Sequence, residues 1–184
     1  MVIIMRKVIF IGGVLASGKS TYAKIIQDKF NLTIVTKDKL KELLGNEIYV
    51  ANREENKKLS VISFEIIKYL LSTNMSTLVI ESNFKPYEMV ELKKICESFD
   101  YKVLSLVFDG SNEILHKRFN DRLKENRHYV HKSQDFTNIN DFVPVLDELR
   151  NVQYFGEIIR VNCDDFTYQI DNNTFKIIEE FLNE

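Results

Sequence analysis

One stretch near the start of the chain constrains the fold more than any other: Gly13-Val14-Leu15-Ala16-Ser17-Gly18-Lys19-Ser20, followed by Thr21. It fits the phosphate-loop pattern G-x-x-x-x-G-K-(S/T), with the apolar run Val8-Ile9-Phe10-Ile11 leading in and a helix-like stretch leading out. A loop that wraps a polyphosphate must turn successive backbone N–H groups inward. Glycines at positions 13 and 18 supply the unusual dihedrals and the room for close approach. Lys19 is then the cation for the β- and γ-phosphates, Ser20 offers a hydroxyl to Mg²⁺, and the following helix points its positive end at the anion.

The rest of the chain repeats the strand-then-helix order that the loop demands. Residues 7–13 form a continuous β-branched run, the pattern of a buried parallel strand, and residues 19–30 read as its helix. Residues 32–35, 77–80, 101–108 and 156–163 supply four further strands. Helices are expected over 39–44, closed by Gly45, and over 54–72, 86–99, 111–126, 141–150 and 174–182, with Pro86 and Pro144 each in a first turn. Tyr168-Gln169-Ile170 reads as a short extra strand. Right-handed crossovers then give a three-layer α/β/α architecture, a phosphate-loop NTPase fold around a five-stranded, mostly parallel sheet.

Bulk properties agree and narrow the partners. With 184 residues, 45% hydrophobic and 28% charged, the chain suits one globular domain over residues 1–184 with a core of its own. Net charge is −2, so no global positive field draws it to long nucleic acid or anionic membrane, which leaves room for an oligonucleotide end. Cys96 and Cys163 are too few for a disulfide framework and lack metal-ligand spacing, which points to buried thiols in a reducing cytoplasm. The apolar start at residues 1–4 is followed, not preceded, by Arg6 and Lys7, the wrong order for a secretory leader. No run approaches the ~18 apolar residues of a membrane span.

Ligands of an open α/β sheet sit outside the carboxyl ends of its strands, and acids fall at those ends. Asp38 follows the second strand and is the first choice as general base, with a helix N-cap as its other reading. Glu81 follows the third strand, where a carboxylate holds Mg²⁺ or manages substrate protons, and Asn83 and Phe84 are placed to line an acceptor pocket. Asp164 and Asp165 follow the fifth strand, where loop capping or contact near a nucleotide base is expected. Arg118 and Arg122, four apart, share one helical face. Beyond them the basic, aromatic stretch 127–132 reads either as a flap that brings charge to a transferring phosphoryl group or as a solvated loop. Lys57 and Lys58 read as a solvated edge.

With these pieces in place the chain resembles small phosphate-loop kinases of the polynucleotide kinase and chloramphenicol phosphotransferase group and related AAA-type ATP-binding proteins. The resemblance runs over about residues 5–165 and rests on the loop from Gly13 to Thr21, Lys37-Asp38 followed by Lys41, Val79-Ile80-Glu81-Ser82-Asn83-Phe84, and the 118–131 region. It implies that Asp38 activates the acceptor hydroxyl and that Arg118, Arg122 and, more weakly, Arg127 clamp phosphates from a helical lid over residues 111–135. His128 and His131 match an Arg-His-x-x-His lid element of bacterial members. Three departures stand out: Lys41 where polynucleotide kinases carry Arg, Glu81 in place of Asp, and Val14-Leu15-Ala16 in place of a Pro-Gly-Ser type of turn.

The expected activity is therefore ATP- and Mg²⁺-dependent transfer of the γ-phosphoryl group to a hydroxyl of a small molecule, nucleoside or polynucleotide 5′ end. Phosphates fall to Gly13 through Thr21 with Arg118, Mg²⁺ to Ser20 and Glu81, and catalysis to Lys19, Asp38, Arg118 and Arg122. No Asn-Lys-x-Asp guanine signature occurs, which leans toward ATP. Two other readings stand: a nucleotide-binding switch with slow hydrolysis, and a toxin-like kinase of a sugar nucleotide.

Overall fold

The computed structural model describes residues 5–125, 128–131 and 136–184. Five strands form one sheet in the order β2-β3-β1-β4-β5: β1 (Lys7–Gly13), β2 (Thr33–Thr36), β3 (Leu78–Glu81), β4 (Lys102–Asp109) and β5 (Glu157–Asn162). Every pairing is parallel, so the sheet is wholly parallel, not mostly so. The physical reason is visible in the links: each pair of successive strands is separated by at least one helix, and none by a hairpin turn. The helices are α1 (Lys19–Phe30), α2 (Lys37–Glu47), α3 (Arg53–Thr73), α4 (Pro86–Ser98), α5 (Asn112–Leu123), α6 (Ile139–Arg150) and α7 (Asn172–Asn183).

Side chains alternate across β1, and each set seeds its own core. Ile9 and Ile11 face Tyr22 and Ile26 of α1, Leu115 of α5, Phe142 of α6 and Ile178 of α7. Val8 and Phe10 face Phe64 and Ile67 of α3 and Met89 and Leu92 of α4. This is the expected three-layer arrangement. Cys163 belongs to the first core and Cys96 to the second, so the two free thiols lie on opposite faces of the sheet.

Several boundaries differ from the sequence reading for identifiable reasons. The second strand runs to Thr36, which takes the extended N-cap conformation, and α2 begins at once with Lys37. Asp38 therefore sits inside the first turn of α2 and is not its N-cap, although a carboxylate there still complements the helix dipole. Gly45 lies within α2 and does not end it, because a neighbouring segment needs the space that a side chain would fill. Pro144 lies inside α6, since Asn138 caps the helix earlier than expected through a side-chain bond to the Asn140 N–H. Tyr168-Gln169-Ile170 forms a 3-10 turn, not a strand, and β5 is the sheet's edge on that side. Among the described residues no helix is long and apolar enough to cross a membrane.

Candidate active site

Sheet register places the site. Thr36, Glu81 and Ile11 stand side by side across β2, β3 and β1, so the segments that follow them open on one crevice. The loop after β1 is held from two directions: Val14 N–H donates to the Phe108 carbonyl at 3.0 Å, and Gly13 N–H donates to the Tyr154 hydroxyl at 2.7 Å. Gly13 has φ 118°, and a Cβ there would meet the Phe108 oxygen at 2.0 Å, so both dihedral and space require glycine. Gly18 at φ 83° and Ala16 at φ 57° turn the loop into a concave row of N–H groups that leads into α1.

Lys19 folds back over this loop, donating to the Val14 carbonyl and to Ser17 Oγ, the latter at 3.1 Å. Burial pushes its ammonium down to about 8, against the pull of Glu81 and Asp38. Burial pushes the Glu81 carboxyl up to about 7; Lys19 draws it back, Asp38 adds to the rise, and the Ser20 hydroxyl bonds it. Ser20 and Glu81 thus form a hard oxygen pair beside the phosphate cradle, a donor set that suits Mg²⁺, which binds through one or two protein groups and substrate phosphates. Among the described residues no three His, Cys, Asp or Glu side chains form a metal cluster, as that mode of binding requires none.

Two cavities meet here. One, of about 470 Å³, is lined by residues 15–21, Glu81, Arg118, Arg122, Phe166 and Tyr168. The other, of about 430 Å³, lies between α2, α3 and the start of α4. Leu15, Asp38, Asn83 and Phe119 line both, so Asp38 stands on their shared border. Asn83 Oδ1 is shut off from solvent there and has no hydrogen-bond partner among the described residues.

The two arginines of α5 expected to act as a lid divide. Arg122 is exposed and near enough to Lys19 and Glu81 to act on both charges. Arg118 donates to the carbonyls of Cys163 and Asp164 and stacks 4.7 Å above the Phe166 ring, so it frames the far end of the loop cavity. Asp164 accepts from Ser111 N–H, and Asp165 accepts from Thr167, which is the expected loop capping. Residues 128–131 turn away from the loop. Tyr129 donates to the Gly45 carbonyl at 2.6 Å, His128 bonds Asn46, His131 bonds Glu42, and Asn56 donates to the Val130 carbonyl. Val130 packs on Val50 and Leu59. This strap roofs the second cavity, so its two histidines face α2. Arg127 and Lys132 lie outside the described residues.

A model of the AAA domain family matches residues 8–139. The chain belongs to that family. No curated protein sequence matches it. In fold this AAA domain is similar to a kinase candidate from Chloroflexus aurantiacus, with TM-score 0.77 at 18% identity over 97% of this chain and 99% of that one. It is also similar to shikimate kinase from Bacteroides thetaiotaomicron, with TM-score 0.55 at 17% identity over 98% and 99%. A chain of an RNA repair complex gives TM-score 0.55 at 18% identity over 85% of this chain and 48% of that one. These likenesses are of fold alone.

Some of the residues that shape this AAA domain's site carry no motif. Lys37 and Glu88 form a buried ion pair that ties the start of α2 to the start of α4. Tyr154 reaches from beyond α6 to hold Gly13, and Arg150 grips Asp109 at the end of β4 with N–O distances of 3.0 and 3.1 Å. The one sequence signal for the ion pair is Glu88 placed three residues after Lys85, the capping position of α4, where it also accepts from the Lys85 N–H.

Proposed function

We propose that this AAA domain transfers the γ-phosphoryl group of ATP to a hydroxyl-bearing acceptor. The observation that carries the reading is the pair of adjoining cavities with Asp38 on their border. In this scheme Lys19 swings off the Val14 carbonyl to the β- and γ-phosphates, joined by loop N–H groups from Gly13 to Thr21. Phe166 and Tyr168 flank the nucleotide's base end together with Arg118. The acceptor lies in the second cavity. Asp38 takes its hydroxyl proton as the new O–P bond forms, the bond from Pγ to the bridging oxygen breaks, and the electron pair leaves with ADP. Arg122 offsets charge on the transferring group. Ser20 and Glu81 would hold Mg²⁺, which when bound neutralises phosphate charge.

Lys19→Ala is expected to abolish ATP binding. Asp38→Asn should bind ATP and lose acceptor-stimulated ADP release by roughly 10²- to 10⁴-fold. A screen of nucleosides, sugars, oligonucleotides and antibiotics for stimulated ADP release supplies the acceptor. ADP release that no hydroxyl compound raises, with a partner that binds only the nucleotide-loaded protein, would instead favour a switch.

A further inference from the structure

The second cavity has a charge that the chain as a whole does not. Net charge is −2, yet Lys41, Arg53, Lys57 and Lys85 line this cleft against one carboxylate, Asp38. Nearby acids are already engaged. Glu88 pairs with Lys37, Glu42 with Lys39 and His131, Glu54 with Lys57, and Glu55 accepts from the Ala51 N–H. Among the described residues Lys41, Arg53 and Lys85 form no ion pair.

Solvation would account for Arg53 and Lys85 alone, since both are exposed. It does not account for Lys41, which is half-buried in the same cleft. Burial pushes the Lys41 ammonium down, and Lys37 and Lys85 press the same way against the pull of Asp38. Cations gathered in a concavity of about 430 Å³ suit a compact dianion, which a phosphate supplies and a neutral sugar does not.

Resting on the kinase reading above, we propose that the acceptor carries a phosphate group besides its hydroxyl, held by Lys41, Arg53 and Lys85 on the side of the cleft away from the phosphate loop. The hydroxyl then falls at Asp38, and the acceptor's charge selects it before chemistry begins.

Two measurements test this separately from the kinase reading. In the first, the protein is saturated with Mg²⁺ and a non-hydrolysable ATP analogue so that the loop is filled, and inorganic phosphate is titrated in while amide shifts are followed by NMR. Saturable shifts at Lys41, Asn56, Asn83 and Tyr87 that weaken ~10-fold or more in Arg53→Gln/Lys85→Gln support the subsite. No saturable shift, or an unaltered affinity in the double variant, overturns it.

The second compares ADP release for ribose against ribose 5-phosphate and adenosine against adenosine 3′-monophosphate. A kcat/KM at least ~10-fold higher for a phosphorylated member, lost mainly through KM in Arg53→Gln/Lys85→Gln and restored in part by Arg53→Lys, supports the inference and names the source of the phosphate. Equal or better use of the neutral member overturns it. If no compound stimulates ADP release while phosphate still binds, the kinase reading fails and the anion subsite stands.

Discussion

Replacing Lys37 by methionine isolates the contact that anchors the acid-bearing helix. Lys37 and Glu88 are 5% and 1% exposed, and their ion pair joins the first turns of α2 and α4. Methionine keeps the length of the stem, whose tip lies 5.5 Å from the Phe64 ring centre, and removes the charge. Glu88 then retains two neutral donors, the Lys85 N–H at 3.1 Å and the Tyr87 hydroxyl at 3.4 Å. Removing one partner of a buried pair costs about 3–5 kcal/mol, and these two donors place the loss near the lower end, about 3 kcal/mol. In a chain of this size that lowers the melting midpoint by roughly 6–12 °C. Urea denaturation at pH 7, followed by circular dichroism, reads it directly. Lys37→Met/Glu88→Leu should recover most of the loss, because replacing both partners by apolar groups is often close to neutral. A single variant within about 1 kcal/mol of the parent, or a double variant no better than the single, would refute the reasoning.

Three further outcomes follow from the same geometry. Burial holds the Glu81 carboxyl up at about 7, so the fold binds this proton more tightly than the unfolded chain does; in EDTA without nucleotide, the Glu81 contribution to stability should be fully present below pH 4.5 and fall by about 3 kcal/mol as pH rises from there through 7. Glu81→Gln should flatten that profile, and parallel profiles for variant and parent would remove burial as the cause. Gly45→Ala would put a Cβ 2.7 Å from Val130 Cγ1, so it should loosen the 128–131 strap, speed proteolysis there and raise KM for the acceptor, despite the ~1 kcal/mol that alanine adds to a helix interior. Gly13→Ala should cost more than ~2 kcal/mol in a denaturant titration, since its φ of 118° and the Phe108 oxygen at 2.0 Å both oppose a side chain.

What the chain reveals before folding depends on the range over which a residue acts. The loop, five strands and the acids at the carboxyl ends of β2 and β3 were legible because each is written locally: glycine spacing, an apolar run, then a carboxylate. Gly45 misleads for the opposite reason. As a helix terminator it has a local explanation, but its actual neighbours are His128, Tyr129 and Val130, more than eighty positions away. The Lys37–Glu88 pair and the Tyr154–Gly13 bond are hidden likewise, as neither end carries a pattern that names the other. The basic stretch after α5 reads from charge either as a flap or as a solvated loop, and the packing of residues 128–131 against α2 was not legible, because charge pattern alone does not say which wall a segment packs against.

The placement of charge explains why these long-range contacts matter to chemistry. On the loop side, burial works against the charged forms of both Lys19 and Glu81, and a polyphosphate arriving beside Lys19 would favour its ammonium. On the proposed acceptor side Arg53, Lys57 and Lys85 are exposed and Lys41 is half-buried, an arrangement that suits capture of an anion. Asp38 serves both sides only if its helix is fixed against the sheet. Its own side chain is exposed and packs against little, so its position is inherited from Lys37 on one side and from the strap contacts of Glu42, Gly45 and Asn46 further along α2. An acid held this way can be displaced by changes that touch neither cavity. Loss of transfer with ATP binding intact is therefore the expected signature both of Asp38→Asn and of breaking the Lys37 anchor; recovery of stability without recovery of turnover in Lys37→Met/Glu88→Leu would separate placement of the acid from its chemistry.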